Sequence, residues 1–334
     1  MDPENSTLTH KNSLLEVTNL KKYFPITKGF LQTEVGAVRA VDGVDLKVRH
    51  GETLGLVGES GCGKSTLGRT IVGLYTPSEG KINFSGTDIT YLQGRKRKQM
   101  QRQLQMIFQD PFASMNPRLK IKKIVGEPLI VHEKLSKREI EEKVLEILKK
   151  VGMEKECMDR YPHEFSGGQR QRISIARSIA LNPHLIVCDE PVSSLDVSIR
   201  SQILNLLKQL QDQYQLTYLF ISHDLAVVRH ISDNVAVMYL GKILELADRD
   251  SIYLSPLHPY TLGLLNAIPI PNPKLERERK KFELKGEIPS PSNPPTGCRF
   301  HTRCPKFEPG LCDISEPQLL EIRKNHWVAC HLVS

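Results

Sequence analysis

The stretch Gly58, Glu59, Ser60, Gly61, Cys62, Gly63, Lys64, Ser65 and Thr66 has the spacing of a phosphate cradle: Gly58, four residues, then Gly63 with a lysine and a hydroxyl behind it. Glycines let backbone N–H groups converge on phosphate oxygens. Lys64 suits the β- and γ-phosphates, and the Ser65 hydroxyl suits Mg²⁺. A second handle for the metal is Asp189, which ends the apolar run LIVCD, and Glu190 follows it directly. One carboxylate on the metal and its neighbour turned toward a water would suit hydrolysis, with Glu190 as the base or water-orienting group. Gln109 follows LQMIF and His223 follows TYLFIS, both also at the end of an apolar run; taken singly each could be a strand-end cap, and their convergence at one sheet edge favours function. A second glycine-containing helix start, Ser166, Gly167, Gly168 and Gln169, could cap a helix and offer N–H groups to another phosphate.

The cysteines divide by position. Cys62, Cys157 and Cys188 are scattered, whereas Cys298, Cys304, Cys312 and Cys330 crowd the last part of the chain with spacing C-x5-C-x7-C-x17-C. That spacing is not a standard zinc-finger pattern. In a cytosolic protein, where structural disulfides are rare, four such thiols point to a metal or an iron–sulfur site.

The elements needed to position these groups are legible as strands alternating with helices. ETLGLV, LQMIF, LIVCDE and TYLFIS read as strands buried on both faces, as a parallel sheet requires. SKREIEEKVLEILKKVG opens with a capping box, Ser136 and Glu139, and places Ile140, Val144, Ile147, Leu148 and Val151 on one face. SIRSQILNLLKQLQDQY repeats the pattern through Ile199, Ile203, Leu206 and Leu210. The fold expected is α/β with a largely parallel sheet core. Helical signals without a strong strand mark residues 110–165 as an inserted helical subdomain. Residues 14–250 form the nucleotide-binding domain, and the proline-punctuated stretch 251–334 forms a small Cys-containing C-terminal extension.

The 334 residues are 39% hydrophobic and 25% charged, ordinary for a soluble protein, and no apolar run approaches the roughly 18 residues needed to span a bilayer. The start of the chain lacks the basic and apolar segments of a secretory signal, so a cytosolic location is expected. A net charge of +8 invites a nucleic-acid partner, but the basic run at 95–102 and the mixed run at 274–285 read as solvated surface.

With these residues assembled, the chain resembles the ATP-binding subunits of ABC transporters over essentially its whole length. FSGGQRQR matches their signature motif, FQDP their glutamine loop, SSLD their D-loop and ISHD their switch-histidine region, in the family's order. The resemblance implies a P-loop NTPase fold of the ABC ATPase type in which two nucleotide-binding domains face each other head to tail. Ser166, Gly167, Gly168 and Gln169 of one would complete the ATP site on the P-loop of the other. It further implies that His223 contacts the γ-phosphate, that Ser65, Asp189 and Gln109 attend Mg²⁺, and that Asp196 lies at the dimer seam. Phe24 would stack on adenine, its spacing fitting better than that of Tyr23.

The segments SPLHPYTLGLLNAIP, GEIPSPSNPPTGCRFHTRCPKFEPGLC and HWVAC resemble the C-terminal extension of oligopeptide/dipeptide-type ABC ATPases, particularly the second ATPase of the usual pair. The implied role is ATP hydrolysis that powers peptide import. The implied partners are a paired ATPase subunit (a heterodimer, with a homodimer as alternative), two transmembrane permeases and an extracytoplasmic peptide-binding protein. The chain would sit peripherally on the cytoplasmic face of the membrane, with no nucleic-acid partner. Cys298, Cys304, Cys312 and Cys330 would hold a [4Fe–4S] cluster, with zinc or plain thiols as alternatives. Nickel chelates, glutathione or sugars are the alternative cargoes. A soluble ABC-type ATPase acting on nucleic acid or ribosomes is the competing class, opposed by the lack of a fused second ATPase or a long coiled-coil insertion.

Overall fold

The computed structural model describes residues 13–29, 33–268, 284 and 286–333, so most of the mixed-charge run at 274–285 lies outside the described residues. Strands β1 (Ser13–Lys28) and β2 (Thr33–Arg49) precede β3 (Thr53–Val57), which delivers the phosphate loop to helix α1 (Lys64–Ile71). Strands β4 (Glu79–Phe84) and β5 (Thr87–Asp88) follow, then α2 (Gly94–Gln103) and β6 (Leu104–Ile107). Helices α3 (Ile121–His132), α4 (Lys137–Lys150) and α5 (Gly167–Ile179) lead to β7 (Leu185–Asp189). Next come α6 (Val197–Tyr214), β8 (Thr217–Ser222), α7 (Leu225–Ile231), β9 (Asn234–Tyr239) and β10 (Lys242–Asp248). The remainder holds α8 (Arg249–Leu254), α9 (Pro259–Asn266), β11 (Leu320–Arg323) and β12 (His326–Val328).

The larger sheet has the order β11-β12-β10-β9-β3-β8-β7-β6. The strands from β9 to β6 are parallel, and β10, β12 and β11 add an antiparallel edge. Both faces of the parallel part are covered, and alternate residues go to different cores. Leu54, Leu56, Leu185, Val187, Leu219 and Ile221 face a core shared with the smaller antiparallel sheet β2-β1-β4-β5. Ile186, Cys188, Tyr218 and Phe220 face the core built by the helices. Two-sided burial at a period of two is why these strands read as unbroken apolar runs.

Register sets the site. Val57 lies opposite Ser222, and Asp189 opposite Ile221, so the carboxyl ends of β3, β8 and β7 finish level. The polar residues that follow them therefore share one sheet edge, where ligands of open α/β sheets bind. Helices α3, α4 and α5 pack on one another beside β6 and β7, and α4 begins at the capping box expected, with Ser136 and Glu139 exchanging both hydrogen bonds. At the opposite edge, β12 pairs with β10 through Leu246 and Trp327, so the end of the chain returns to the main sheet.

Candidate active site

The phosphate loop is fixed by its glycines and its neighbours. Gly58 (φ 153°) and Gly63 (φ 109°) adopt backbone angles that side chains disfavour. A Cβ on Gly58 would stand 2.1 Å from the Met238 carbonyl oxygen, and one on Gly63 would stand 2.0 Å from that of Ala40. The loop therefore lies directly on two neighbouring strands. Gly241 N–H donates to the Cys62 carbonyl at 2.8 Å, while Cys62 itself is buried beneath the loop. Lys64 is buried, and its Nζ donates to the carbonyls of Gly58 (2.7 Å) and Glu59 (2.9 Å). The ammonium thus occupies the loop's own concavity, where phosphate oxygens would replace the two carbonyls. Ser60 and Gly61 are exposed, and Thr66 accepts from Thr70 within α1.

Asp189 is fully buried at the end of β7. Burial pushes its carboxyl pKa up, countered by the Ser65 hydroxyl, which donates to Oδ1 at 2.6 Å, and by Arg69 at 3.4 Å from Oδ2. Arg69, one turn along α1, carries no signal of this contact in the sequence. An arginine on a helix face gives no sign of where it points. The oxygen donors of Ser65 and Asp189, brought together beside the phosphate loop, have the hard-ligand chemistry that Mg²⁺ prefers.

Glu190 takes a left-handed backbone (φ 47°), uncommon for a residue other than glycine. Its N–H donates to the Ile221 carbonyl at 3.0 Å, which pins the turn to β8. The turn swings the carboxylate sideways into a clasp. Gln109 Nε2 donates to one oxygen at 2.9 Å, and His223 Nδ1 lies 3.0 Å from the other. Gln109, Asp189, Glu190 and His223, which are distant in sequence, therefore meet with Ser65 and Lys64 at one edge. A carboxylate steered from both sides, beside a metal-ready carboxylate and a phosphate cradle, can orient and deprotonate a water for phosphoryl transfer.

The second cradle stands apart. Ser166 caps α5, and Ser166 and Gln169 exchange both bonds of a capping box. Ser166, Gly167 and Gln169 are exposed, and Gly168 is packed so closely that a Cβ would meet Ile199 at 2.5 Å. Among the described residues, no hydrogen bond or ion pair joins Ser166–Gln169 to the phosphate loop, Asp189 or Glu190 of the same chain. Asp196 is likewise exposed, at the start of α6. On the smaller sheet, the Tyr23 hydroxyl is committed to Asp42, and Phe24 meets Tyr75 edge-on at 5.4 Å.

The four late cysteines share one neighbourhood. Cys298 and Cys312 are buried, Cys304 and Cys330 partly so, and Cys298 N–H donates to the Cys312 carbonyl at 2.8 Å. Burial pushes the Cys298 thiol up to about 11, and the other three cysteines add to the rise. The side chains do not close in further: among the described residues, no group of three or more His, Cys, Asp or Glu stands close enough to hold a metal ion. No described helix is long and apolar enough to cross a membrane.

Comparison with known proteins adds the following. The ABC transporter family matches residues 41–193, and the oligopeptide/dipeptide transporter C-terminal region matches residues 244–312. The oligopeptide transport ATP-binding protein AppF of Bacillus subtilis (strain 168) is 54% identical over 329 residues, 98% of this chain and 100% of AppF. The oligopeptide transport ATP-binding protein OppF of Salmonella typhimurium is 50% identical over 329 residues, 98% of each chain. Among solved structures, a dimeric ATP-binding cassette in a post-hydrolysis state with ADP and Pi matches with TM-score 0.63 at 27% identity, over 70% of this chain and 98% of that one.

Proposed function

The chain belongs to the ATP-binding subunits of oligopeptide/dipeptide-type ABC transporters, and from that premise we propose how its residues divide the work of an ATPase that powers peptide import. The observation that carries the reading is the clasp on Glu190, set beside the buried Asp189–Ser65 pair and the phosphate loop. The loop N–H groups and Lys64 hold the triphosphate, and Phe24 stacks on adenine. Ser65, Asp189 and Gln109 would hold Mg²⁺, which would supply neutralisation of the phosphate charge. Glu190 takes the proton of the attacking water. His223 orients Glu190 and faces the γ-phosphate.

The exposed cap at Ser166–Gln169, unattached to its own phosphate loop, supports completion of the site by a second ATPase subunit across a seam that includes Asp196. In this assembly ATP joins the two subunits, and hydrolysis removes the contact. The pair, a heterodimer, works on two transmembrane permeases at the cytoplasmic face, fed by an extracytoplasmic peptide-binding protein. The test is Glu190→Gln in the reconstituted transporter: ATP binding retained, turnover lost. Unchanged turnover would remove Glu190 from the role of base.

The four late thiols are assigned a [4Fe–4S] cluster, with zinc as the alternative. Four cysteines, two buried and two partly so, within one another's electrostatic reach have the right donor chemistry, although their side chains do not form a ligand group. Anaerobically purified protein should yield iron and sulfide in cluster proportion. Stoichiometric zinc would replace the cluster by the metal, and protein with neither would overturn the assignment.

A further inference from the structure

The loop between Cys298 and Cys304 carries two arginines, and both reach the nucleotide end of the molecule. Arg303, its side chain 5% exposed, grips Glu59 with two prongs: Nη1 donates to Oε2 at 2.7 Å and Nη2 to Oε1 at 3.0 Å. Glu59 is the second residue of the phosphate loop. Its N–H donates to the Tyr260 hydroxyl oxygen at 2.9 Å, and its carbonyl accepts from Lys64 Nζ. Arg299 donates to the Leu240 carbonyl and pairs with Asp42, whose carboxylate also accepts from the Tyr23 hydroxyl beside Phe24.

A cluster of rings seats this arrangement. Tyr239 at the end of β9, Tyr260 in α9 and Phe300 in the cysteine loop meet with centroids 4.8, 5.3 and 5.4 Å apart, all fully buried. The guanidinium of Arg303 lies 5.8 Å from the Tyr239 ring. Such seating fixes the arginine before any ligand arrives. Glu59 sits between Gly58 and the Ser60–Gly61 pair, a run whose two glycines do little to restrict the backbone. A two-pronged, largely desolvated arginine–carboxylate pair is strong and directional, and removing one partner strands the other.

We infer that Arg303 is a positioning residue for the ATPase reaction: through Glu59 it sets the phosphate loop, so the cysteine-bearing extension is part of the nucleotide site. The inference rests on the ATPase reading above. It is tested on the full chain, paired with its partner ATPase, by MgATP titration with a fluorescent ATP analogue and by steady-state hydrolysis. Arg303→Gln and Glu59→Gln should each raise the MgATP Kd and the KM about tenfold, with kcat changing less than about twofold. The double variant should be no worse than either single one, because both remove the same contact. Arg303→Lys, which keeps the charge and loses the fork, should fall between. Unchanged affinity with a lowered melting temperature, or additive effects in the double variant, would reduce Arg303 to a docking contact. Should Arg303→Gln fail to fold, Glu59→Gln and Arg303→Lys carry the test, and wild-type affinity in both overturns the inference. Wild-type protein that binds no MgATP would instead overturn the ATPase reading itself.

Discussion

Geometry more than chemistry sets Glu190 apart from the carboxylate beside it. Its neighbour Asp189 is wholly buried and tied to Ser65 and Arg69, which leaves it no freedom to act on a water. The left-handed turn between the two residues sends their carboxylates to different places: one down to Ser65 and Arg69, one outward between Gln109 and His223. A left-handed backbone at a residue other than glycine costs about 1 kcal/mol or more, held here by the bond to β8. Glu190→Gln keeps the length of the side chain and the bond accepted from Gln109, so the pocket should keep its shape. What disappears is the proton acceptor. Turnover should drop by about 10²–10⁴-fold, the range for a lost general base, while MgATP binding stays within a few-fold of wild type. Single-turnover hydrolysis beside equilibrium binding separates the two effects, and equal losses in both would mean that the clasp itself had collapsed.

Helix α5 is capped by its own side chains at its first turn. The capping box between Ser166 and Gln169 satisfies N–H groups of the helix start, and Gly167 beside it is exposed while Gly168 packs against Ile199. Ser166→Ala should lower stability by about 1 kcal/mol through the lost cap. If the same hydroxyl also meets ATP on a partner, the ATPase rate of the paired complex should fall by far more than that destabilisation explains, with ATP affinity of the separate chain unchanged. Urea unfolding and hydrolysis measured on the same preparation would decide, and a loss confined to stability would leave Ser166 as a cap only. Elements of this kind were legible because their signals are local: the capping box of α4, the glycine spacing before α1, and unbroken apolar runs for β3, β6, β7 and β8. The long hairpin β1–β2 was not. Bulges at several points of its register break the alternation by which a half-buried strand is recognised. The grip of Arg303 on Glu59 was beyond sequence reading for another reason: 244 positions separate the partners, and neither residue type announces the other.

Across the molecule, the extension is fastened to the main sheet by a buried polar knot that should make the protein acid-sensitive. Glu245 in β10 is fully buried and accepts from the N–H groups of Leu257 (2.7 Å) and His258 (3.0 Å) and from His326 Nε2 in β12 (2.7 Å). Burial alone would raise its pKa, but these bonds hold it below the ordinary value. His258 caps α9 with Nδ1, which accepts from Tyr260 N–H at 3.0 Å and must therefore carry a lone pair. Burial pushes the His258 pKa down to about 4, so the folded ring stays neutral at pH 7 although Glu245 is near. The sign follows directly. Above about pH 6.5 both folded and unfolded chains hold the ring neutral, and the full stability is present. As the pH falls from about 6.5 to about 4, the unfolded chain takes up a proton that the folded one refuses, which removes up to about 3 kcal/mol. Glu245 adds a loss in the same direction at the acid end of that window. His258→Asn supplies a cap oxygen in place of Nδ1 and has no titrating ring, so its urea midpoint should fall less steeply between pH 6.5 and 4.5 than that of the wild type. Parallel acid slopes for the two proteins would show that His258 does not set the response. Tyr260 joins this knot to the N–H of Glu59, but the folded ring does not titrate above about pH 4, so the acid loss is one of stability alone and MgATP affinity of the folded chain should show no His258-dependent change between pH 6.5 and 4.5.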